Sequence, residues 1–182
     1  MRRYWFPKPY ADRVARLRVV CGFLLAAAFA WLAQPTPGSL SAGLPIGLTG
    51  LFLRAWAAGH LAKNERLAVD GPYAWVRNPL YLGTLMVAAG LAVAARRPLL
   101  AALFAAFFLL VYLPVVEQEE QHLGKLFPDF AAYAARVPML APRWPGPGGG
   151  GARFRWQLYR KNQEYQALAG FLAGALLLVW KS

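Results

Sequence analysis

"LYLGTLMVAAGLAVAARRPLLAALFAAFFLLVYLPVV", residues 80–116, consists of two charge-free apolar runs separated by Arg96 and Arg97 alone. Apolar runs of this length are typical of helices that cross a membrane. Because the connection is so short, the two helices must be antiparallel neighbours, and Pro98 suits the first turn of the second one. The stretch therefore predicts a membrane-embedded helical hairpin.

Three further apolar runs, at residues 14–33, 38–61 and 165–180, accompany the two runs of the hairpin, at residues 80–95 and 98–116. The chain has 182 residues, of which 58% are hydrophobic and 15% charged, a composition of membrane proteins rather than soluble ones. Some runs are shorter than a bilayer requires, and arginines beside the first run can snorkel to the interface. We predict an all-α, polytopic membrane protein with five transmembrane helices in a single domain, residues 1–182.

The basic residues are distributed unequally between the loops. Of the 20 lysines and arginines, sixteen fall on one side of the predicted topology, and Arg96, Arg97 and Lys181 fall on the other side. The remaining one, Arg54, lies inside the apolar run 38–61. The positive-inside rule then predicts a cytoplasmic N-terminus. Topology and attraction to anionic lipids account for the net charge of +12. We therefore expect membrane lipids as partners and no nucleic acid.

The fourth run leads into residues 117–123, which are all compatible with helix, so its helix is expected to project beyond the membrane until Pro128. After it, "DFAAYAARV", residues 129–137, places Phe130, Tyr133 and Val137 on one helical face. This predicts a short amphipathic helix lying on the membrane or over a site. Next, "PRWPGPGGGG", residues 142–151, predicts a flexible linker.

The segment "GPYAWVRNPLYLG", residues 71–83, is the first candidate for chemistry. Gly71-Pro72 sets a turn, and Asn78 before Pro79 marks the start of the third predicted helix. The unpaired N–H groups of a helix start, beside Arg77, attract a carboxylate or a phosphate. The alternative is purely structural: the aromatic residues form an interfacial belt and Arg77 contacts lipid phosphate.

Glu119-Glu120 and Arg54 are the other candidates. With only eight acidic residues in the chain, the glutamate pair just beyond the fourth run suits an amine or a ribose, although it also fits a solvated helix end. An arginine within an apolar run should face the bundle or a polar cavity, with Glu119 or Glu120 as its partner, or snorkel to the interface. A lone cysteine, Cys21, and two histidines on different elements predict neither a disulfide nor a metal site.

Two linked motifs resemble the isoprenylcysteine carboxyl methyltransferase family and the related phospholipid methyltransferases. "GPYAWVRNPLYLG" is similar to the family pattern G-x-Y-x-x-x-R-H-P-x-Y-x-G. "EEQHLGKLFPDFAAYAARVP", residues 119–138, is similar to E-E-x-x-L-x-x-x-F-G-x-x-Y-x-x-Y-x-x-x-V-P. The motifs occur in the family's order around a helical hairpin, and the resemblance covers roughly residues 54–143.

The resemblance implies an integral-membrane methyltransferase that uses S-adenosylmethionine in a pocket at the cytoplasmic face of the plasma (inner) membrane. Its methyl acceptor is then lipophilic, either a carboxylate similar to isoprenylcysteine or a lipid. Arg54 and Glu119 are the implied catalytic residues. The implied donor-binding residues are Leu67, Ala68, Tyr73, Arg77, Asn78, Pro79, Leu80, Tyr81, Glu119 and Glu120.

Three departures separate this chain from the family pattern. Asn78 replaces a histidine, Pro128 replaces a glycine, and "VYLPVV", residues 111–116, lacks the arginine that precedes the acidic pair in the prenylcysteine enzymes. Arg54 is a candidate source of that missing charge. Two other functions stay open: an NADPH-dependent membrane reductase of the sterol reductase type, and a non-catalytic membrane protein that only anchors lipid.

Overall fold

The computed structural model describes residues 5–144 and 153–182, and its regular structure in these ranges is entirely helical. A 3₁₀ turn, Gly71–Ala74, lies between the second and third helices. Most of the predicted linker at 142–151 lies outside the described residues. The helices are α1 Lys8–Leu32, α2 Pro37–Ala58, α3 Pro79–Ala95, α4 Pro98–Leu126, α5 Phe130–Arg136, α6 Trp156–Lys161 and α7 Tyr165–Lys181.

Three of these helices, α1, α2 and α4, are long and apolar enough to cross a membrane, with 25, 22 and 29 residues. Helices α3 and α7 are apolar but have 17 residues each. At 1.5 Å per residue they reach about 25 Å, against ~30 Å for the hydrocarbon core. The all-α class is therefore confirmed for the described residues, whereas the count of five spans and the orientation stay predictions.

Two helices have other bounds than the spans predicted within them. Helix α1 begins at Lys8, before residue 14, and its charged first turns are largely exposed. Helix α2 ends at Ala58 rather than at residue 61. There the Asn162 side chain donates hydrogen bonds to the carbonyl oxygens of Ala58 and Leu61, at 3.0 and 2.9 Å, and so satisfies groups at the helix end.

Helices α1, α2, α3, α4 and α7 alternate in direction. The C-terminal ends of α1, α3 and α7 meet the N-terminal ends of α2 and α4 at one end of the bundle. The backbone N–H of Gln34 donates to the Ala95 carbonyl at 2.9 Å, and the Lys181 Nζ donates to the Ala30 carbonyl at 2.7 Å. Between these bonds lies an apolar cluster of Phe29, Ala33, Ala94, Ala95, Leu100 and Leu178. The loops that carry the two motifs lie at the opposite end.

Helices α2 and α3 approach so closely that only glycine fits between their backbones. A Cβ at Gly90 would lie 2.4 Å from the Gly47 nitrogen and 2.6 Å from the Gly43 oxygen, and one at Gly50 would lie 2.6 Å from the Gly83 oxygen. In lipid, helices associate through such close van der Waals packing, since burying apolar surface there releases no water. The glycine contact therefore fixes the register of α2 against α3.

A π-helical turn, Phe108–Tyr112, interrupts α4 just before Pro114. Proline has no N–H, so the Leu110 carbonyl lacks its usual intrahelical donor. The Tyr10 hydroxyl of α1 donates to that carbonyl instead, at 2.6 Å. Such turns are frequent at functional sites. Here the ring of Tyr112 lies 5.7 Å from the ring of Tyr81 on α3, measured between centroids.

Arg54 links three helices. Its guanidinium pairs with both oxygens of Glu164, beside the start of α7, at 2.8 and 3.0 Å, and donates to the Leu80 carbonyl and the Thr84 hydroxyl on α3. The prediction that Glu119 or Glu120 would pair with Arg54 was wrong. Glu164 lies 110 positions further along the chain, and the fold returns it to α2. Burial raises the pKa of Glu164, and Arg54 opposes that increase.

We predict that Gly90→Ala destabilises the protein, because the new methyl group overlaps the α2 backbone. Overpacking of this kind costs about 1–3 kcal/mol, so thermal unfolding in detergent should begin several degrees lower. Gly170→Ala on α7 is the matched control, since nothing lies within 4 Å of its added Cβ. Equal melting temperatures for the two variants would contradict the close contact.

We also predict that Arg54→Gln destabilises the protein more at about pH 8 than at about pH 5. Because the pKa of Glu164 is raised, its contribution to stability is largest at low pH and decreases as pH rises through that pKa. Without Arg54 the pKa rises further, and the ionised carboxylate is left buried. At the higher pH we expect a loss of about 3 kcal/mol, measured by denaturant unfolding.

The control for this experiment is Lys161→Gln, which breaks the exposed Lys161–Glu65 ion pair. Exposed pairs contribute little to stability, so this variant should unfold like the unmodified protein. A loss in Arg54→Gln that does not change with pH would argue against the buried pair as its cause.

Candidate active site

A cavity of about 660 Å³ opens at the end of the bundle where the two motifs lie. Its walls come from α1, α2, α3, α4, α5, the start of α7 with the residues just before it, and the loop after α2. Sites for cofactors and small molecules commonly have volumes of about 300–1,000 Å³. The cavity is therefore large enough for a cofactor together with part of a second molecule.

The structure places nearly all of the predicted site residues around this cavity. Pro79 is the exception; it is buried in the first turn of α3 and sets the start of that helix. The role of each lining residue stays a prediction, but their convergence is a property of the fold. The predicted residues that line the cavity are Arg54, Leu67, Ala68, Tyr73, Arg77, Asn78, Leu80, Tyr81, Glu119 and Glu120.

Gly71 begins the first motif in a conformation that suits glycine. Its φ is +57°, and a Cβ there would lie 2.8 Å from the ring of His60. His60 is buried at the end of α2, with its Nδ1 2.9 Å from the Trp56 carbonyl. The turn therefore folds directly over His60, which fixes where Tyr73 enters the cavity.

The end of the second motif holds the first motif in place. The N–H groups of Arg77 and Asn78 donate to the carbonyls of Pro138 and Met139, at 2.9 and 3.2 Å, and the Tyr133 hydroxyl donates to the Tyr73 carbonyl at 2.8 Å. Helix α5 was predicted to lie on the membrane or over a site. Its Phe130 and Tyr133 are buried and line the cavity, so α5 covers the site.

Tyr73 and Tyr133 present neutral phenols. Burial raises the pKa of both hydroxyl groups above the ordinary tyrosine value, so neither ionises at physiological pH. For Tyr73, the nearby charges of Glu119 and Glu164 raise the pKa further, while Arg54 lowers it. Tyr73 therefore lines the cavity as a neutral hydroxyl within electrostatic reach of Glu119, Glu164 and Arg54.

Glu120 is held by the two residues before α3. The Asn78 Nδ2 donates to its Oε1 at 2.9 Å, the Arg77 Nε lies 3.1 Å from the same oxygen, and the Arg77 Nη1 donates to the Ala134 carbonyl at 3.1 Å. Arg77 was predicted to attract a ligand carboxylate. Its guanidinium is instead engaged by Glu120, so its position favours a structural role. Asn78, where the family pattern has histidine, supplies an N–H donor.

Glu119 and the start of α3 remain directed at the cavity. The Glu119 carboxylate interacts with the Tyr81 hydroxyl. Because the Asn78 side chain turns to Glu120, it does not cap α3. Among the residues that the structure describes, no group accepts from the backbone N–H of Leu80 or Tyr81. Because Leu80, Tyr81 and Glu119 line the cavity, two N–H donors and one carboxylate acceptor belong to its wall, beside aromatic rings.

Several lining residues were not among the predicted site residues, and those with polar side chains include Arg18, Tyr112, Asn162 and Glu164. Two of them had a signal in the sequence, since Arg18 is the last charge before the first apolar run and Glu164 is an acid directly before the last one. Tyr112 and Asn162 had none. Within residues 5–144 and 153–182, no group of three or more His, Cys, Asp or Glu side chains is placed to hold a metal ion.

Two curated proteins are similar to this chain. The cobalt-zinc-cadmium resistance protein CzcN of Cupriavidus metallidurans is 36% identical over 106 residues, which cover 55% of this chain and 49% of that protein. The nickel-cobalt-cadmium resistance protein NccN of Alcaligenes xylosoxydans xylosoxydans is 33% identical over 138 residues, covering 72% and 65%. The matched part of the chain therefore spans about half of the first relative and just under two thirds of the second.

No solved structure matches the chain significantly. The model of the phospholipid methyltransferase family matches residues 39–129, half of the sequence. The matched segment runs from α2 to the residue before α5, and it contains the first motif, the α3–α4 hairpin and the acidic pair. With three long apolar helices and this match, the protein is an integral membrane protein that belongs to the phospholipid methyltransferase family.

Proposed function

We propose that this protein transfers a methyl group from S-adenosylmethionine to a lipophilic acceptor at the membrane. The observation that carries the proposal is the convergence of the two motifs on one cavity. Glu119, the uncapped start of α3 and the ring of Tyr73 come from separate parts of the chain and face the same space. The family match, which covers the same segment, supports the reaction class.

The groups around the cavity fit this donor. The N–H groups of Leu80 and Tyr81 suit its carboxylate, and the Glu119 carboxylate suits its amino group or ribose hydroxyls. The rings of Tyr73 and Tyr81 suit the adenine and the positively charged sulfur. When bound, this donor supplies a methyl group on a sulfonium, ready for displacement by a nucleophile.

The protein's own residues would then act mainly by positioning and by excluding water. Arg77 and Asn78 hold Glu120, and α5 covers the site. The contacts of Arg54 with Glu164, Leu80 and Thr84 favour a positioning role over direct contact with the acceptor. A carboxylate acceptor would need no strong base, whereas a lipid amine would need a proton acceptor, for which Glu119 is the candidate.

We predict that Glu119→Gln weakens binding of S-adenosylmethionine about tenfold or more, the effect of losing a charge-assisted hydrogen bond. Isothermal titration calorimetry in detergent measures this directly. Glu117→Gln is the matched control. It lies two residues earlier on α4 and binds the backbone N–H groups of Trp5 and Phe6, away from the large cavity.

Unchanged affinity in Glu119→Gln would refute the proposed donor site. A parallel titration with NADPH tests the reductase alternative, and tight NADPH binding without binding of S-adenosylmethionine would replace the proposal. No saturable binding of either molecule would favour a non-catalytic membrane protein.

For the biological role, we propose that methylation changes how the membrane surface binds metal ions. The two similar proteins are named for resistance to cobalt and cadmium, among other metals. Carboxylates and neutral nitrogen donors bind metal ions. A carboxylate loses its negative charge when it becomes a methyl ester, and an amine loses its lone pair when methylation proceeds to the quaternary ammonium. Methylation of a headgroup to either product would therefore weaken metal binding at the membrane surface.

We predict that a strain lacking this gene is more sensitive to cobalt and cadmium. The unmodified gene and Glu117→Gln should restore growth, while Glu119→Gln should not, at equal protein levels in the membrane. Growth in graded metal concentrations measures the effect. Full restoration by Glu119→Gln would separate metal tolerance from methyl transfer.

A further inference from the structure

Arg18 on α1 places a positive charge at the cavity. It is the last charged residue of α1 before the charge-free run that starts at Val19, so it lies near the boundary of the apolar part of the helix. Its side chain is half-buried and lines the cavity. No described residue accepts a hydrogen bond from it. A cation at this depth should face a polar group, and its position beside the cavity suggests that the group is a ligand.

The charges around the cavity favour an anion near Arg18. Two of the lining carboxylates, Glu120 and Glu164, are paired with Arg77 and Arg54. Glu119 is then the remaining carboxylate among the described lining residues. Three lining cations, Arg18, Lys63 and Arg66, have no acidic partner among the described residues, so positive charge exceeds negative charge there. Lys63 and Arg66 are exposed on the loop after α2, whereas Arg18 lies deeper, beside Tyr81.

Helices α1 and α7 contact each other at the end away from the cavity. There Lys181 bonds to the carbonyl of Ala30, and the Phe29 ring lies beside Gly174. At the other end, Arg18 on α1 and Ala167 on α7 both line the cavity. Beyond these two residues both helices carry exposed apolar side chains: Val19, Val20 and Phe23 on α1, and Leu168 and Leu172 on α7.

We propose that Arg18, with Tyr112, binds the anionic group of an amphiphile whose apolar tail lies between α1 and α7. The Tyr112 phenol can donate a hydrogen bond, and its ring lies beside that of Tyr81, at the π-helical turn of α4. The anion is a carboxylate or a phosphate, which arginine binds well. That this amphiphile is the methyl acceptor rests on the proposed function; the binding site itself does not.

Measuring the binding of amphiphiles directly tests this site independently of methyl transfer. Dodecanoate, dodecyl phosphate and dodecyltrimethylammonium are titrated separately into the full-length protein in a neutral detergent, and bound ligand is measured at equilibrium. We expect saturable binding of at least one anion, weakened about tenfold in Arg18→Gln, as expected for the loss of a charge-assisted hydrogen bond. Comparing the carboxylate with the phosphate identifies the preferred headgroup.

Arg16→Gln is the matched control. Arg16 is exposed on the same helix, two residues earlier, and bonds to the Asp12 carbonyl at 3.3 Å. Equal weakening in Arg16→Gln and Arg18→Gln, or equal binding of the cationic amphiphile, would overturn the proposal. Anion binding in a protein that fails to bind S-adenosylmethionine would support the site while refuting the proposed function. Donor binding without anion binding would overturn the site alone.

The proposed position of the apolar tail, between α1 and α7, is tested by placing a larger side chain at that end of the cavity. Ala167→Trp should reduce binding of the anionic amphiphile several-fold, because Ala167 lines the cavity. Affinity for inorganic phosphate, which has no tail, should not change. Ala169→Trp, at an exposed position on α7 that does not line the cavity, serves as the control. Unchanged amphiphile binding in Ala167→Trp would place the tail elsewhere.

Discussion

The close contact of α2 with α3 is the constraint on which the site depends. Glycines on both helices have no Cβ, so the two backbones lie closer together than residues with a Cβ would allow. At Gly83 the space of the missing Cβ is filled by the Arg54 side chain, whose Cγ would lie 2.6 Å from an added Cβ. Arg54 can therefore reach the Leu80 carbonyl and Thr84 while it also pairs with Glu164. One packing contact thus positions the start of α3 and the beginning of α7 together.

Pairing of buried charges assigns different roles to two adjacent glutamates. A buried charge is tolerated when it is paired and hydrogen-bonded. Glu120 meets this requirement through Arg77 and Asn78, so it fastens α4 to the start of α3. Glu119 faces the cavity beside Tyr81. The same network turns the Asn78 side chain away from the helix end, which leaves the first N–H groups of α3 directed at the site.

The segment matched by the family model and the helices that flank it contribute different residues to the cavity. Residues 39–129 hold the glycine contact, most of the first motif's contacts with the cavity, and the acidic pair. Arg18 and Glu164 lie outside this segment, on or beside α1 and α7. The proposed donor groups thus belong to the matched segment, whereas two charges that complete the cavity come from the flanking helices.

The amino-acid sequence by itself determined the helical class, the α3–α4 hairpin and the set of candidate site residues. Apolar runs, turn residues and motif spacing are local properties, so each can be recognised without knowing what packs against it. The tertiary structure alone decided the partners of the charged side chains. Arg54 pairs with Glu164 rather than with the acidic motif, and Arg77, which lines the cavity, pairs with Glu120. The physical reason is that a buried charge takes the partner that packing brings within a few ångströms, and separation along the chain does not reveal that distance.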